Sequence, residues 1–229
     1  MIRSRRKLGS CIDVDASTNR RRLSKKLYYA PGACSLAPHI VLHELNLPYT
    51  PVKVDLRAHK LADGTDFHTI NPHGYVPVLE LDDGTRLTEA QVLLQYLADR
   101  KPGTLAPVFG GIERYKLMET LGFIASEVHK GFGPLWHPET PEATRAGTIA
   151  KLGKRFDEIS RTLTQREFIY GNSFSVADAY LYTVGSWSGY LKVDMSKWPA
   201  VQQYLARIGE RESVRKAKSV ESTKAAAAA

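Results

Sequence analysis

"KLYYAPGACSLAPHIVLHELNL", residues 26–47, changes its hydrophobic rhythm at a single turn. Lys26 to Ala30 is a short apolar and aromatic run that reads as a strand, closed by the turn residues Pro31 and Gly32. Beyond them Leu36, Ala37, Ile40, Val41 and Leu45 follow an i, i+3, i+4 pattern, which predicts a helix starting near Cys34 or Ser35. Pro38 falls in its first turn, where a missing N–H costs little. "YTPVKVDL" (49–56) then alternates as a second strand. Two strands joined by a crossover helix pair in parallel, so this stretch predicts the core of an α/β unit with a cysteine at its first strand-to-helix turn.

Residues 57–72 are polar and irregular and are predicted as loop. "YVPVLELDDGTRLT" (75–88) reads as a hairpin turning at Asp82-Asp83-Gly84-Thr85, and Ala90, Leu93, Leu94 and Leu97 mark another helix. The Pro/Gly-rich stretch after it reads as a linker. The predicted organisation is a basic, disordered extension over 1–25, an α/β domain over 26–102, a linker over 103–110 and an all-helical domain over 111–229. The helical half carries three stripes: Leu117, Met118, Leu121, Ile124, Ala125, Val128; Ile149, Leu152, Phe156, Ile159, Leu163; and Val201, Tyr204, Leu205, Ile208. "SVAD" (175–178) has capping-box spacing, which makes Ser175 and Asp178 structural.

The net charge of +8 is concentrated at one end. Residues 1–26 hold nine cationic residues against Asp13 and Asp15, which leaves +7 there and +1 elsewhere. The folded part therefore offers no basic surface for nucleic acid. The two aspartates and the absent amphipathic pattern argue against a targeting peptide. No apolar run suits a membrane span. Two cysteines, Cys11 and Cys34, are too few for a disulfide framework, which points to a reducing, cytoplasmic setting.

Cys34 sits where a helix N-terminus offers free N–H groups and a positive dipole end, both of which stabilise a thiolate. Ala37 stands where a C-x-x-C motif would place its second cysteine, so internal dithiol chemistry is disfavoured. Three readings stay open at this point: a reactive thiol, a group that helps hold another thiolate, or a buried inert cysteine. Val76-Pro77, at the lip of the hairpin, would turn backbone groups toward an extended peptide if its bond is cis. Glu89, at the next helix start, is either a plain first-turn acid or one end of a clasp for an α-amino acid. His39 and His43 have metal-ligand spacing, but no third ligand is evident; the expectation is a solvated helix flank and no metal.

Taken together, "KLYYAPGACSL", "NPHGYVPVLELDDGTRLTEAQVLLQYLAD", "ERYKLMETLGFIASEVHKGFGPL" and "SVADAYLYTV" resemble the glutathione S-transferases, most closely their bacterial beta class, from about Lys26 to Ser219. The resemblance implies a thioredoxin-like domain followed by a helical domain, a homodimer, and glutathione as co-substrate, conjugated to small hydrophobic electrophiles in detoxification. It places Cys34 beside the glutathione sulfur with Ser35 as a nearby hydroxyl donor. Val76 and cis Pro77 would pair with the peptide, and Glu89 with the N–H of Ala90 would take the γ-glutamyl end. His129 and Lys130 would face the sulfur, and Glu127 would reach the other subunit's ligand. His59 stands where the family often has Lys, Ala90 where it often has Ser, and Gly122 where it often has Asn. Losing a charge-assisted bond at His59 would weaken binding by about 1.5–3 kcal/mol. The same scaffold also admits a thiol-disulfide oxidoreductase or reductive dehalogenase that uses Cys34 covalently, and a non-enzymatic dimeric interaction module.

Overall fold

A computed structural model describes residues 25–222. The basic extension, apart from Lys25, and Cys11 with it lie outside the described residues. Five strands form one mixed sheet: β1 (Lys26–Tyr29), β2 (Thr50–Asp55), β3 (Lys60–Leu61), β4 (Val78–Glu80) and β5 (Arg86–Leu87), in the order β3-β2-β1-β4-β5. Helix α1 (Leu36–Glu44) crosses from β1 to β2, which run parallel with Leu27 opposite Pro51. The other neighbours are antiparallel. Side chains alternate across β1 as the pleat requires. Leu27 and Tyr29 join the main core with α1 and α2 (Ala90–Ala98), while Tyr28 faces a smaller cluster with Val54, Phe67, Val76 and Val78.

That smaller cluster explains where the structure departs from the predicted loop. Within 57–72 the two-residue strand β3 closes the sheet edge, and Phe67 is fully buried, 5.9 Å from the Tyr28 ring. Burying a phenylalanine contributes roughly 2–3 kcal/mol, which helps hold this polar stretch against the sheet. Asp66 starts the single 3-10 turn there by accepting the His68 N–H.

The second half is helical: α3 (Ile112–Phe123), α4 (Glu142–Leu163), α5 (Val176–Gly185), α6 (Trp187–Tyr190), α7 (Pro199–Gly209) and α8 (Glu212–Ser222). Helix α5 is its axis, with all ten residues buried. Its start is the capping box read from the sequence, and it carries more than a cap. Asp178 Oδ2 accepts the backbone and hydroxyl protons of Ser175 at 2.9 and 2.8 Å; Oδ1 accepts the Ile169 N–H and the Tyr204 hydroxyl, both at 2.9 Å. Four donors on one fully buried carboxylate satisfy a group that would otherwise be costly to desolvate. Buried Arg114 grips both Asp99 oxygens at 2.9 and 3.0 Å and the Pro107 carbonyl at 3.1 Å, locking the end of α2 and the linker stretch onto α3.

After Phe123 the chain does not continue as one regular helix. Ile124–His129 is a π-helical turn, followed by 3-10 helix over Lys130–Trp136 with Pro134 inside it. Ile124 and Val128 keep the buried stripe, and the changed pitch sets the angle at which His129 leaves the backbone.

Candidate functional site

The loop between β1 and α1 is built before any ligand is considered. Ser35 is fully buried and its hydroxyl is spent within the loop, accepting the Ala30 N–H and donating to the Ala30 carbonyl, both at 3.2 Å. The expected hydroxyl donor beside the sulfur is thus a loop clamp. Gly32, at φ +72°, is tied from two sides. Its N–H donates to Glu221 of α8 at 2.9 Å, and its carbonyl accepts the Trp187 indole N–H at 2.9 Å. Two contacts from the helical half hold the cysteine loop in place.

Cys34 is partly exposed, and its Sγ–H donates to the Val76 carbonyl at 3.3 Å. The Val76–Pro77 bond is cis. The helix-start expectation of an acidic thiol does not hold: burial, with Glu89 adding repulsion, outweighs the favourable N–H groups of the loop and the charge of Lys130 and pushes the thiol up to about 12. Helix α1 begins only at Leu36, and the thiol donates to the Val76 carbonyl.

Glu89 occupies the N-cap of α2 at φ +66°, ψ 114°, in the left-hand half of backbone space where a non-glycine residue is strained by about 1 kcal/mol or more. Its carbonyl accepts the Val92 and Leu93 N–H groups at 2.9 and 3.0 Å. Its exposed carboxylate stands at the helix start, where the Ala90 N–H has no intrahelical partner.

Across from the loop, His129 Nδ1 lies 2.7 Å from the Tyr180 hydroxyl. Its ring stands edge-on to Trp187 at 5.0 Å. Burial, helped by the adjacent Lys130 charge, lowers its pKa to about 4. Tyr180 is raised far above its ordinary value by burial and then by Cys34 and Glu89, so all three groups share one electrostatic neighbourhood. Tyr180 was not singled out in the sequence; its only signal is an aromatic residue five positions after the cap of a buried helix. From Trp187 an aromatic wall continues outward through Trp136 at 5.3 Å to Tyr190, 5.7 Å further, with Phe132 packed behind.

The structure thus brings Cys34, Val76, Glu89, His129 and Lys130 into one neighbourhood where the two halves of the chain meet. Glu127 does not turn into it: the side chain pairs with Arg155 of α4 on the exposed face. His59, at φ +50°, has its ring between His68 (4.5 Å) and Gly74, where a Cβ would meet His59 Nδ1 at 2.8 Å. Glycine is required there by both space and backbone, at φ +67°. His39 overturns the expected solvated flank. It is fully buried under α8, with Nδ1 3.1 Å from Glu221 and Nε2 2.6 Å from the Tyr49 hydroxyl, which in turn lies 2.9 Å from His43 Nε2.

A family model of the glutathione S-transferase N-terminal domain matches residues 32–100, and one of the C-terminal domain matches residues 123–212. The chain is 44% identical over 201 residues to the glutathione S-transferase GstA of Escherichia coli O157:H7, covering 87% of this chain and 100% of that one. It superposes with TM-score 0.84 on a sphingomonad glutathione S-transferase complexed with glutathione, 42% identical over 87% of this chain and 100% of that one. With the beta-class enzyme of Sphingomonas chungbukensis the TM-score is 0.83 at 42% identity, over 86% and 98%. A strand-helix turn bearing Cys34, a cis-proline lip and a helical half closing over both therefore have a common owner: this chain belongs to the glutathione S-transferases, in their bacterial beta class.

Proposed function

We propose that the protein conjugates glutathione to small hydrophobic electrophiles, as a cytoplasmic homodimer serving detoxification. The observation that carries this reading is the convergence of Cys34, Val76, Glu89 and His129 from both halves of the chain on one neighbourhood. In it, the Val76 backbone and the Pro77 lip receive the peptide, while Glu89 and the Ala90 N–H take its γ-glutamyl end. Lys130 supplies positive charge near the sulfur, and His59 with neighbouring Lys60 takes the far carboxylate. Trp187, Trp136 and exposed Tyr190 form the wall against which the electrophile packs.

Chemistry at the sulfur alone is weak. A free thiol is roughly 3% ionised at pH 7, and lowering its pKa by about two units raises that roughly 25-fold for about 2.7 kcal/mol. The less basic thiolate loses about eightfold in nucleophilicity, which leaves roughly threefold. Orientation must therefore supply the remainder, and the clamp at Glu89 matters as much as the sulfur site. A residue held at positive φ beside free N–H groups suits that task, because its strain is tolerated where binding uses it.

Calorimetric titration with glutathione tests the proposal. Binding is expected for the native chain and at least tenfold weaker binding for Glu89→Gln, with conjugation of an aryl halide followed by absorbance. Absence of heat at millimolar glutathione would overturn it.

A further inference from the structure

We infer that Tyr180 is a positioning residue for the transferase reaction: its buried hydroxyl donates to His129 Nδ1 and so fixes the imidazole as the tautomer that carries its proton on Nε2. The inference rests on the reading of His129 as a sulfur-facing residue, and its geometry stands independently. Tyr180 is 2% exposed, and among the described residues its hydroxyl meets one partner, His129 Nδ1 at 2.7 Å. A buried hydroxyl must place its proton on an acceptor. If Nδ1 carried the ring proton, the hydroxyl would accept it and its own proton would be stranded. With the proton on Nε2, the Tyr180 hydroxyl and His129 Nδ1 are both satisfied, and the nitrogen opposite Tyr180 becomes a neutral donor.

The surroundings hold this arrangement. The imidazole is edge-on to both Tyr180 (5.8 Å, 87°) and Trp187 (5.0 Å, 68°), which blocks rotation of the ring. Trp187 is itself anchored to the cysteine loop through the Gly32 carbonyl. The titratable groups around the pair are Cys34 from the loop, Glu89 from the start of α2 and Lys130 on the same turn as His129. The first two oppose ionisation of Tyr180, and Lys130 opposes protonation of His129. Both members stay neutral at physiological pH, so the hydrogen bond has one direction. An Nε2–H donor then assists a thiolate across the whole neutral range, without a protonation step of its own.

Tyr180→Phe keeps the ring packing and deletes the hydroxyl. The expected result is a roughly tenfold lower kcat/KM, a thiol pKa of bound glutathione raised by about one unit (read from thiolate ultraviolet absorbance against pH), and little change in Tm. In a His129→Ala background the same change should add almost nothing, because the two act as a unit. Nitrogen-15 NMR of the ligand-free native protein reads the tautomer directly and should show protonated Nε2 and unprotonated Nδ1. A proton on Nδ1, an unshifted thiol pKa, or additive losses in the double variant would each overturn the inference. The NMR measurement needs neither glutathione nor a folded variant, so its failure is distinguishable from failure of the glutathione reading itself.

Discussion

Two histidines flank the cysteine loop, and they are finished to different degrees. Behind the loop, His39 has no exposed surface and both ring nitrogens are engaged. A carboxylate has no proton to give, so His39 Nδ1–H donates to Glu221, while His39 Nε2, the Tyr49 hydroxyl and His43 Nε2 continue the chain at 2.6 and 2.9 Å. Burial, then the neighbouring His39 and Lys216, lowers the pKa of His43 at the outer end of that chain. In front of the loop, His129 Nδ1 is bonded to Tyr180, and Nε2 has no hydrogen-bond partner among the described residues. The contrast separates structure from function in physical terms. A buried polar network that closes on itself holds the fold; one that stops a bond short is where a substrate completes it.

Breaking the closed side should produce the larger effect. Glu221→Ala leaves buried His39 Nδ1–H and the Gly32 N–H without acceptors at once, and it removes the link between α8 and the cysteine loop. Leaving the buried His39 donor unsatisfied costs about 1–3 kcal/mol, read as a shifted midpoint in urea denaturation. Activity of the fraction that remains folded should fall as well, since Gly32 then keeps only its Trp187 contact. A change in stability under about 1 kcal/mol would mean that the rear network is decorative.

The open side should reveal itself through pH. His129 titrates near 6.5 when unfolded and near 4 when folded, because burial disfavours the imidazolium. Across that window the unfolded chain binds more protons, so stability falls as pH drops from about 6.5 to 4 and is retained above it. The linkage amounts to about 3 kcal/mol at full extent. Urea midpoints measured at pH 7 and pH 4.5 should differ accordingly, and His129→Phe should flatten most of the difference. An unchanged slope in that variant would assign the acid sensitivity to other groups.

How much of this was legible depends on how local each signal is. The β1-turn-α1 unit, the hairpin and the capping box at Ser175 and Asp178 are set by neighbouring residues, and they appear where the patterns place them. The closed network was not legible, because Glu221 and His39 lie 182 residues apart and meet only when α8 covers α1. Histidines at i, i+4 carry no sign of what will cover them. Nor does the stripe from Leu117 to Val128 announce that the helix changes pitch at Ile124, since the same apolar positions stay buried in either form. Cys34 was placed correctly at the turn, while the direction of its pKa depended on a burial that no spacing encodes.

The smallest effect belongs to Cys34, and it sharpens the comparison most. Its thiol is protonated and donates to the Val76 carbonyl, a weak S–H contact in a residue that is only partly buried. Cys34→Ala removes one sulfur and one such bond, so the stability change should stay within about 1 kcal/mol. Burial raises the thiol pKa and so disfavours Cys34 as the attacking group, and conjugation should fall by less than about tenfold. A covalent role requires the opposite: glutathione disulfide exchange or dehalogenation lost outright in Cys34→Ala, and a mixed disulfide with glutathione on the native chain visible by intact-mass spectrometry. Retained conjugation with no adduct would make Cys34 a member of the sulfur site that acts through its hydrogen bond, and leave His129 as the open end of the front network.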